Sequence, residues 1–181
     1  MTCPGGGSLA RGPSSPLRTN RLVLNRPVLA DALVVYEINH DFRAVEHNPS
    51  DRLSSLHEAQ ALVQRWMEHW QQFGFGYWCV REVGSAAVIG FCGLKVVTFQ
   101  GAEALNLLYR FSPPSWGRGI ATEAASAVVD WTLAHEPQRP LLARVRPGNV
   151  ASQRVALRVG RHRVPALDED GEDGPDLLFM Y

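Results

Sequence analysis

Apolar residues recur along this chain with two different periods, and the changes of period mark out its elements. Leu56, Ala59, Leu62, Val63, Trp66 and Trp70 lie on one helical stripe. Ser55 precedes the stripe with Glu58 three residues on, a capping-box pattern, and Phe73-Gly74 marks the expected stop. Trp66 and Trp70 are one turn apart and are expected to pack in the core, with a role in acceptor binding as the alternative. A shorter helix, from Asp31 as candidate cap to about His40, carries Ala32, Leu33, Val35, Tyr36 and Ile38. The pattern then becomes β-branched and aromatic over Tyr77–Glu82, Ala87–Phe99 and Leu105–Phe111, with turns at Val83-Gly-Ser85 and Gln100-Gly-Ala102, which predicts an antiparallel meander. Helical spacing returns from about Gly119 to His135, with Ala124, Ala127, Val128 and Trp131 inward, and Pro137 and Pro140 prevent its continuation. A strand at Leu141–Arg146 and a helix capped by Asn149 and ended by Gly160 follow. Asp168-Glu-Asp-Gly-Glu-Asp-Gly-Pro175 forms the tip of a last hairpin before Leu177–Tyr181. That charge run reads as a solvated loop, with an acidic lip for cationic acceptors as the alternative. The sum is an α/β domain of the α+β kind without internal repeats.

Composition narrows the class. The 181 residues, 45% hydrophobic, suit one domain with a filled core. Eighteen basic and eighteen acidic side chains give zero formal net charge, which argues against a broad footprint on nucleic acid or an anionic membrane. Cys3, Cys79 and Cys92 are too few and too dispersed for a disulfide scaffold or a zinc site, so reduced thiols in a cytoplasm are expected, with Cys79 and Cys92 as small core residues. No apolar run has the length of a membrane span or a signal peptide. Residues 1–16, rich in Gly, Pro and Ser, read as a disordered tail ahead of a domain over 17–181.

The chemistry concentrates between Tyr109 and Ala125. A strand pattern stops at Pro113-Pro114, turns through Gly117 and Gly119, and opens a helix. Two glycines allow close approach, and the start of the helix offers unpaired N–H groups and a partial positive charge, which together suit a pyrophosphate. A Walker-type loop would require Lys and Ser/Thr where Ile120 and Ala121 stand, and a dinucleotide fingerprint a third Gly or Ala at Thr122. The remaining reading is a metal-free cradle for a diphosphate.

Trp116-Gly-Arg-Gly119-Ile-Ala121 resembles the acyl-CoA loop of the GNAT acyltransferases, Arg/Gln-x-x-Gly-x-Gly/Ala, with Trp116 in the Arg/Gln place. The wider motif Trp-Gly-Arg-Gly-Ile-Ala-Thr-Glu-Ala is similar to the branch of ribosomal-protein-alanine N-acetyltransferases (RimJ/RimL-like). The resemblance runs from Leu17-Arg-Thr-Asn-Arg-Leu-Val-Leu through Gly76-Tyr-Trp-Cys-Val-Arg and Ile89-Gly-Phe-Cys-Gly-Leu94 to Asn149-Val-Ala-Ser152-Gln-Arg-Val155-Ala-Leu-Arg-Val-Gly160. It implies a GNAT fold: a mixed, mostly antiparallel sheet of about six or seven strands, splayed at a CoA cleft and flanked by about four helices. The cleft would lie between Leu105–Phe111 and Leu141–Arg146. Backbone groups at Tyr109, Arg110 and Phe111 would hold the pantetheine arm of acetyl-CoA. Amides of Trp116, Gly117, Arg118, Gly119, Ile120, Ala121 and Thr122 would hold its pyrophosphate, without a metal.

The resemblance also locates catalytic candidates. Many relatives carry a Tyr for the departing thiolate seven residues after the capping Asn; here that residue is Ala156. Ser152, three after Asn149, matches the Ser that the ribosomal-protein branch places near the CoA sulfur, with helix capping as its alternative role, and Asn149 would bond the pantetheine as well as cap. Where relatives often place Glu as base, this chain has Asn106, able to orient a water or the amine but not to take a proton. Glu103, His40 and His47 remain as base candidates, none singled out; the segment holding the two His is expected to border the acceptor. A Lys amine is neutral in only roughly 0.04% of molecules at pH 7, an α-amine in roughly 10–15%. A weak base therefore favours an acceptor α-amine, which makes N-acetylation of a protein or peptide N-terminus in a ternary complex the leading expectation. Acylation of a small amine such as an aminoglycoside or polyamine, and an acyl-CoA-binding protein without catalysis, are the alternatives. Dimers are common among relatives, which leaves a homodimer open.

Overall fold

The computed structural model describes residues 16–181, so the tail expected over 1–16 lies, except for Pro16, outside the described residues. In chain order the elements are β1 (Leu17–Arg18), β2 (Leu22–Asn25), α1 (Ala32–His40), α2 (Phe42–Val45), α3 (Leu56–Phe73), β3 (Tyr77–Glu82), β4 (Val88–Phe99), β5 (Ala102–Phe111), α4 (Ile120–His135), β6 (Leu141–Val145), α5 (Val150–Arg158), β7 (His162–Arg163), β8 (Glu169–Gly171) and β9 (Gly174–Met180). The expected first strand is split into β1 and β2 by a tight turn, where Thr19 Oγ1 accepts from the Leu22 N–H at 2.9 Å.

The sheet runs β1-β2-β3-β4-β5-β6-β9-β7, with β8 on β9. Among the described residues only β5 and β6 are parallel. The short strands β1, β7 and β8 bring the count to nine, and the four-residue α2 adds a fifth helix. Alternation along β5 sends Leu105, Leu107 and Phe111 into the main core with Ile120, Ala124 and Val128 of α4 and Ala156 of α5. Leu108 goes to the opposite layer, against Val35 of α1 and Val63 and Trp66 of α3. Trp66 and Trp70 are buried, and burial pushes the thiols of Cys79 and Cys92 well above their usual range.

Three local expectations are corrected. Asp31 makes no side-chain cap for α1; its carboxylate accepts from the Val28 N–H at 2.9 Å and from Arg81 at 2.5 Å, because a buried carboxylate needs a cation more than a helix end needs a cap. Ser55 accepts from the Glu58 N–H at 3.2 Å as expected, but the Glu58 carboxylate takes the Ser54 N–H and hydroxyl at 2.8 and 2.6 Å instead of returning to Ser55. The acidic run of residues 168–175 is not simply a solvated loop. β8 and β9 fold it back against arginines, so that Asp168 meets Arg163, Glu169 meets Arg144, and Asp173 and the next carboxylate, Asp176, meet Arg146 at 3.8 and 3.1 Å.

Candidate active site

β5 and β6 pair only at Leu105 with Leu141 and Asn106 with Leu142. Beyond that point they diverge. The edge of β5 from Leu107 to Phe111 that would face β6 is left without a strand partner, a row of backbone donors and acceptors suited to an extended, amide-bearing arm. The opening is a cleft of about 520 Å³ whose walls include Asn106, Tyr109, Phe111, Trp116, Gly117, Gly119, Ile120, Ala121, Thr122, Asn149 and Ser152. Residues predicted from separate motifs thus meet in one place.

The turn at one end of the cleft is built by backbone conformation. Gly117 and Gly119 have φ of +72° and +74°, in the left-handed region that favours glycine. A Cβ on Gly117 would meet nothing within 4 Å, so the side of the turn that two side chains would fill is open. Gly119 is also the N-cap of α4 and supplies no side-chain cap, so the first-turn N–H groups of Ile120, Ala121 and Thr122 lack the intrahelical acceptors of later turns. Trp116 pins the turn by donating its indole N–H to the Phe111 carbonyl at 2.9 Å. Glu123 holds it from outside, accepting from Thr19 Oγ1 at 2.5 Å and Arg21 Nε at 2.6 Å, while Arg21 reaches the Arg118 carbonyl at 3.0 Å.

Two candidates sit differently from the rest. Arg118 does not line the cleft: its guanidinium makes a bidentate pair with Glu82 at 2.9 Å on both arms, so only its backbone is available to a ligand. Arg110 lines the cleft, but its guanidinium donates to Asn39 and, at 2.6 Å, to Asp51. Among the base candidates, Glu103 pairs with Arg139 at 3.2 Å, and His40 holds the Leu53 carbonyl at 3.0 Å; neither reaches the cleft, whereas His47 lines it.

At the throat, Asn149 Oδ1 accepts from the Ser152 N–H at 3.0 Å, so the cap is Asn149 and the Ser152 hydroxyl is available for other work. The Tyr109 hydroxyl lies 2.8 Å from Ser152 Oγ and 2.9 Å from the Ser152 carbonyl, and its one proton can go to either oxygen. Burial pushes the Tyr109 phenol up to about 12, so it stays protonated; in the arrangement that turns this proton from the carbonyl to Oγ, Ser152 donates its own into the cleft. Ala156, in the place where relatives carry Tyr, is fully buried in the core. Asn106 Oδ1 is buried with no hydrogen-bond partner among the described residues, an acceptor held ready for an N–H donor.

Sequence reasoning missed Asp176. This carboxylate is 6% exposed, lines the cleft, and is held by Arg146 at 3.1 Å. Burial raises it above the ordinary carboxylate range and the Arg146 charge only partly opposes that. Its signal was present as one acid among the six between Asp168 and Asp176, but the pattern does not say which one turns inward.

The sheet, opened at its one parallel pair, places the molecule among acetyltransferase folds. An acetyltransferase from Agrobacterium tumefaciens strain C58 superposes with a TM-score of 0.78 and 25% identity, over 93% of this chain and 95% of that one. The ribosomal-protein-S5-alanine acetyltransferase of Vibrio fischeri shares the fold at a TM-score of 0.72 and 16% identity, over 93% and 96%. Residues 21–162 match the acetyltransferase (GNAT) domain, and the chain belongs to the GNAT acetyltransferase family. YkkB of Bacillus subtilis is 29% identical over 105 residues; the match spans 55% of this chain and 60% of that protein. Among the described residues no helix is long and apolar enough to cross a membrane, and no group of three or more His, Cys, Asp or Glu side chains could hold a metal ion.

Proposed function

We propose that the protein transfers the acetyl group of acetyl-CoA directly to an acceptor α-amine, with a peptide or protein N-terminus as the leading acceptor class. The observation that carries the proposal is the Ser152 hydroxyl, freed from capping by Asn149 and positioned by Tyr109 at 2.8 Å where β5 and β6 part. The turn at Gly117 to Thr122 would receive the pyrophosphate on backbone N–H groups, and the unpaired edge of β5 the pantetheine amides.

In the transfer, the amine nitrogen bonds to the acetyl carbon as the carbon–sulfur bond breaks. Asn106 Oδ1 accepts an N–H of the amine and aims its lone pair. Asp176, directly or through a water, takes the proton the amine gives up. Ser152 donates to the departing sulfur with Tyr109 behind it. A carboxylate raised by burial is a better base than an ordinary Asp, yet too weak to strip a Lys ammonium efficiently, which agrees with an α-amine acceptor. Buried reduced Cys79 and Cys92 agree with a cytoplasmic setting.

The test is release of CoA thiol from acetyl-CoA with N-terminal peptides, Lys peptides, polyamines and aminoglycosides, run beside calorimetric acetyl-CoA binding. Turnover led by α-amine peptides supports the reading. A clear preference for Lys would refute the acceptor class, and tight acetyl-CoA binding with no turnover would make the chain a binding protein.

A further inference from the structure

A second cavity, of about 230 Å³, opens on the α1/α3 side of the sheet and shares Asp51, Leu108 and Arg110 with the cleft. Half of its lining side chains are apolar or aromatic. Trp66 meets Tyr77 edge-on with ring centroids 5.2 Å apart and Phe91 at 4.9 Å, with Leu62 and Leu108 completing the surface. Its charged lining is one-sided: Arg65, Lys95 and Arg110 against Asp51 alone. Asp51 already pairs with Arg110 at 2.6 Å, and among the described residues Arg65 and Lys95 have no anionic partner. His69 adds no charge. Burial lowers its pKa, with Lys95 adding to the shift, and its Nε2 accepts from the Val96 N–H at 3.2 Å while Nδ1 faces the Phe75 carbonyl at 2.8 Å.

The cavity is placed to read the acceptor. Asn106 is the cross-strand partner of Lys95, and alternation puts its side chain on the same face of β5 as Leu108 and Arg110. An amine hydrogen-bonded to the unpartnered Asn106 Oδ1 would therefore have this cavity beside it, on the face of the sheet opposite α4. Polyamines and aminoglycosides would bring further cations against Arg65 and Lys95, which disfavours them.

We propose that this cavity takes the acceptor's side chain, and that the acceptor is an α-amine bearing a large apolar side chain with a carboxylate close by. This rests on the acetyltransferase reading and narrows it. The carboxylate belongs either to a free amino acid or to an acidic second residue of a peptide.

The experiment compares kcat/KM for phenylalanine, phenylalaninamide, Phe-Asp-amide, Phe-Asn-amide and spermidine in the wild type and in the double variant Arg65→Gln/Lys95→Gln. Calorimetry in the presence of CoA compares binding of N-acetylphenylalanine with that of N-acetylphenylalaninamide. The expected result is a preference of about five- to tenfold for a carboxylate-bearing acceptor over its amide counterpart, the size of one or two partly exposed charge contacts. The double variant should lose this preference and keep its acetyl-CoA affinity and its rate on phenylalaninamide. Phenylalanine ahead of Phe-Asp-amide identifies a free amino acid as the source of the carboxylate; the reverse identifies a peptide N-terminus. Equal use of the amide counterparts, spermidine as the best acceptor, or a preference that survives in the double variant would overturn the inference. If no acceptor turns over, the acetylated ligands decide it: tighter binding of the carboxylate form supports the cavity assignment while the catalytic reading falls, and equal binding overturns the assignment.

Discussion

The Tyr109 hydroxyl lies 2.8 Å from the Ser152 hydroxyl and 2.9 Å from the Ser152 carbonyl, so a single phenol joins β5 to α5 where the two parallel strands separate. A relative's Tyr would reach this throat from the α5 position that Ala156 occupies here; in this chain the phenol comes from β5 and acts through a serine. Ser152→Ala is expected to lower kcat by about ten- to a thousandfold, in line with loss of one positioned donor, while acetyl-CoA binding persists. Tyr109→Phe should cost less, because Ser152 keeps its own proton. The double variant should be little worse than Ser152→Ala, since the two hydroxyls act as a unit. Steady-state kinetics with calorimetry on the three variants checks this; an unchanged rate in Ser152→Ala would give the thiol contact to another group.

Asp176 sets the expected pH dependence. Its burial raises the carboxyl above the usual carboxylate range, and the base must be ionised to accept a proton. The rate should therefore fall on the acid side at a higher pH than an ordinary Asp would give, in addition to the limb set by the amine itself. Asp176→Asn should remove that limb and lower kcat by about a hundred- to ten-thousandfold, the usual worth of a positioned base. A pH–rate profile of the variant that keeps both the limb and the rate would transfer the role, with His47 the next candidate on the cleft wall.

Elements whose signals are local were legible in the sequence, and contacts made across the fold were not. The stripe of α3, its stop at Gly74 (φ +76°), the glycine turn and the Asn149 cap each depend on residues within a few positions of one another. Ser152 was singled out by resemblance, as the Ser that relatives carry three residues after the capping Asn. Asp31 was misread because Arg81, its partner, stands 50 positions away. Asp176 and Arg146 were missed for the same reason: the acids near the C-terminus look alike until β9 pairs with β6 and turns one of them into the cleft. The cavity beneath α3 takes lining from α1, α3 and three strands, so no single segment carries its pattern.

Gly119 separates backbone strain from loss of the ligand. At φ +74°, Gly119→Ala places a Cβ in a conformation that costs roughly 1–2 kcal/mol, yet the nearest atom, an Arg21 nitrogen 3.6 Å away, does not block it. That variant should fold with a modestly lower Tm and weaker acetyl-CoA binding. Gly119→Glu adds a carboxylate beside the first-turn N–H groups of α4 and should abolish acetyl-CoA binding by charge repulsion and bulk. Calorimetry on both, with circular dichroism to establish folding, is the check, and tight binding by a folded Gly119→Glu protein would refute the pyrophosphate assignment.

Arg161 is 3% exposed and interacts electrostatically with Tyr109. Its Nη1 donates to the Leu141 carbonyl at 3.0 Å, while Nε and Nη2 are buried without partners among the described residues. Burial pulls the guanidinium down to about 10, against the opposing influence of Tyr109, Tyr181 and Cys92. A cation whose folded-state pKa is depressed binds fewer protons folded than unfolded at alkaline pH, so it costs stability at neutral pH and that cost is relieved as pH rises past 10. Arg161→Met, which keeps the length and removes the buried charge, should therefore leave the protein as stable or more so by up to about 4 kcal/mol in urea unfolding at pH 7. The same charge opposes the rise of the Tyr109 phenol and so makes it a stronger hydrogen-bond donor to Ser152. The variant should accordingly turn over a few-fold more slowly with its acetyl-CoA KM unchanged, and the double variant Arg161→Met/Tyr109→Phe no more slowly than Tyr109→Phe alone. A large loss of stability would instead mark Arg161 as a structural member of the core, and an unchanged kcat would separate it from the Tyr109–Ser152 pair.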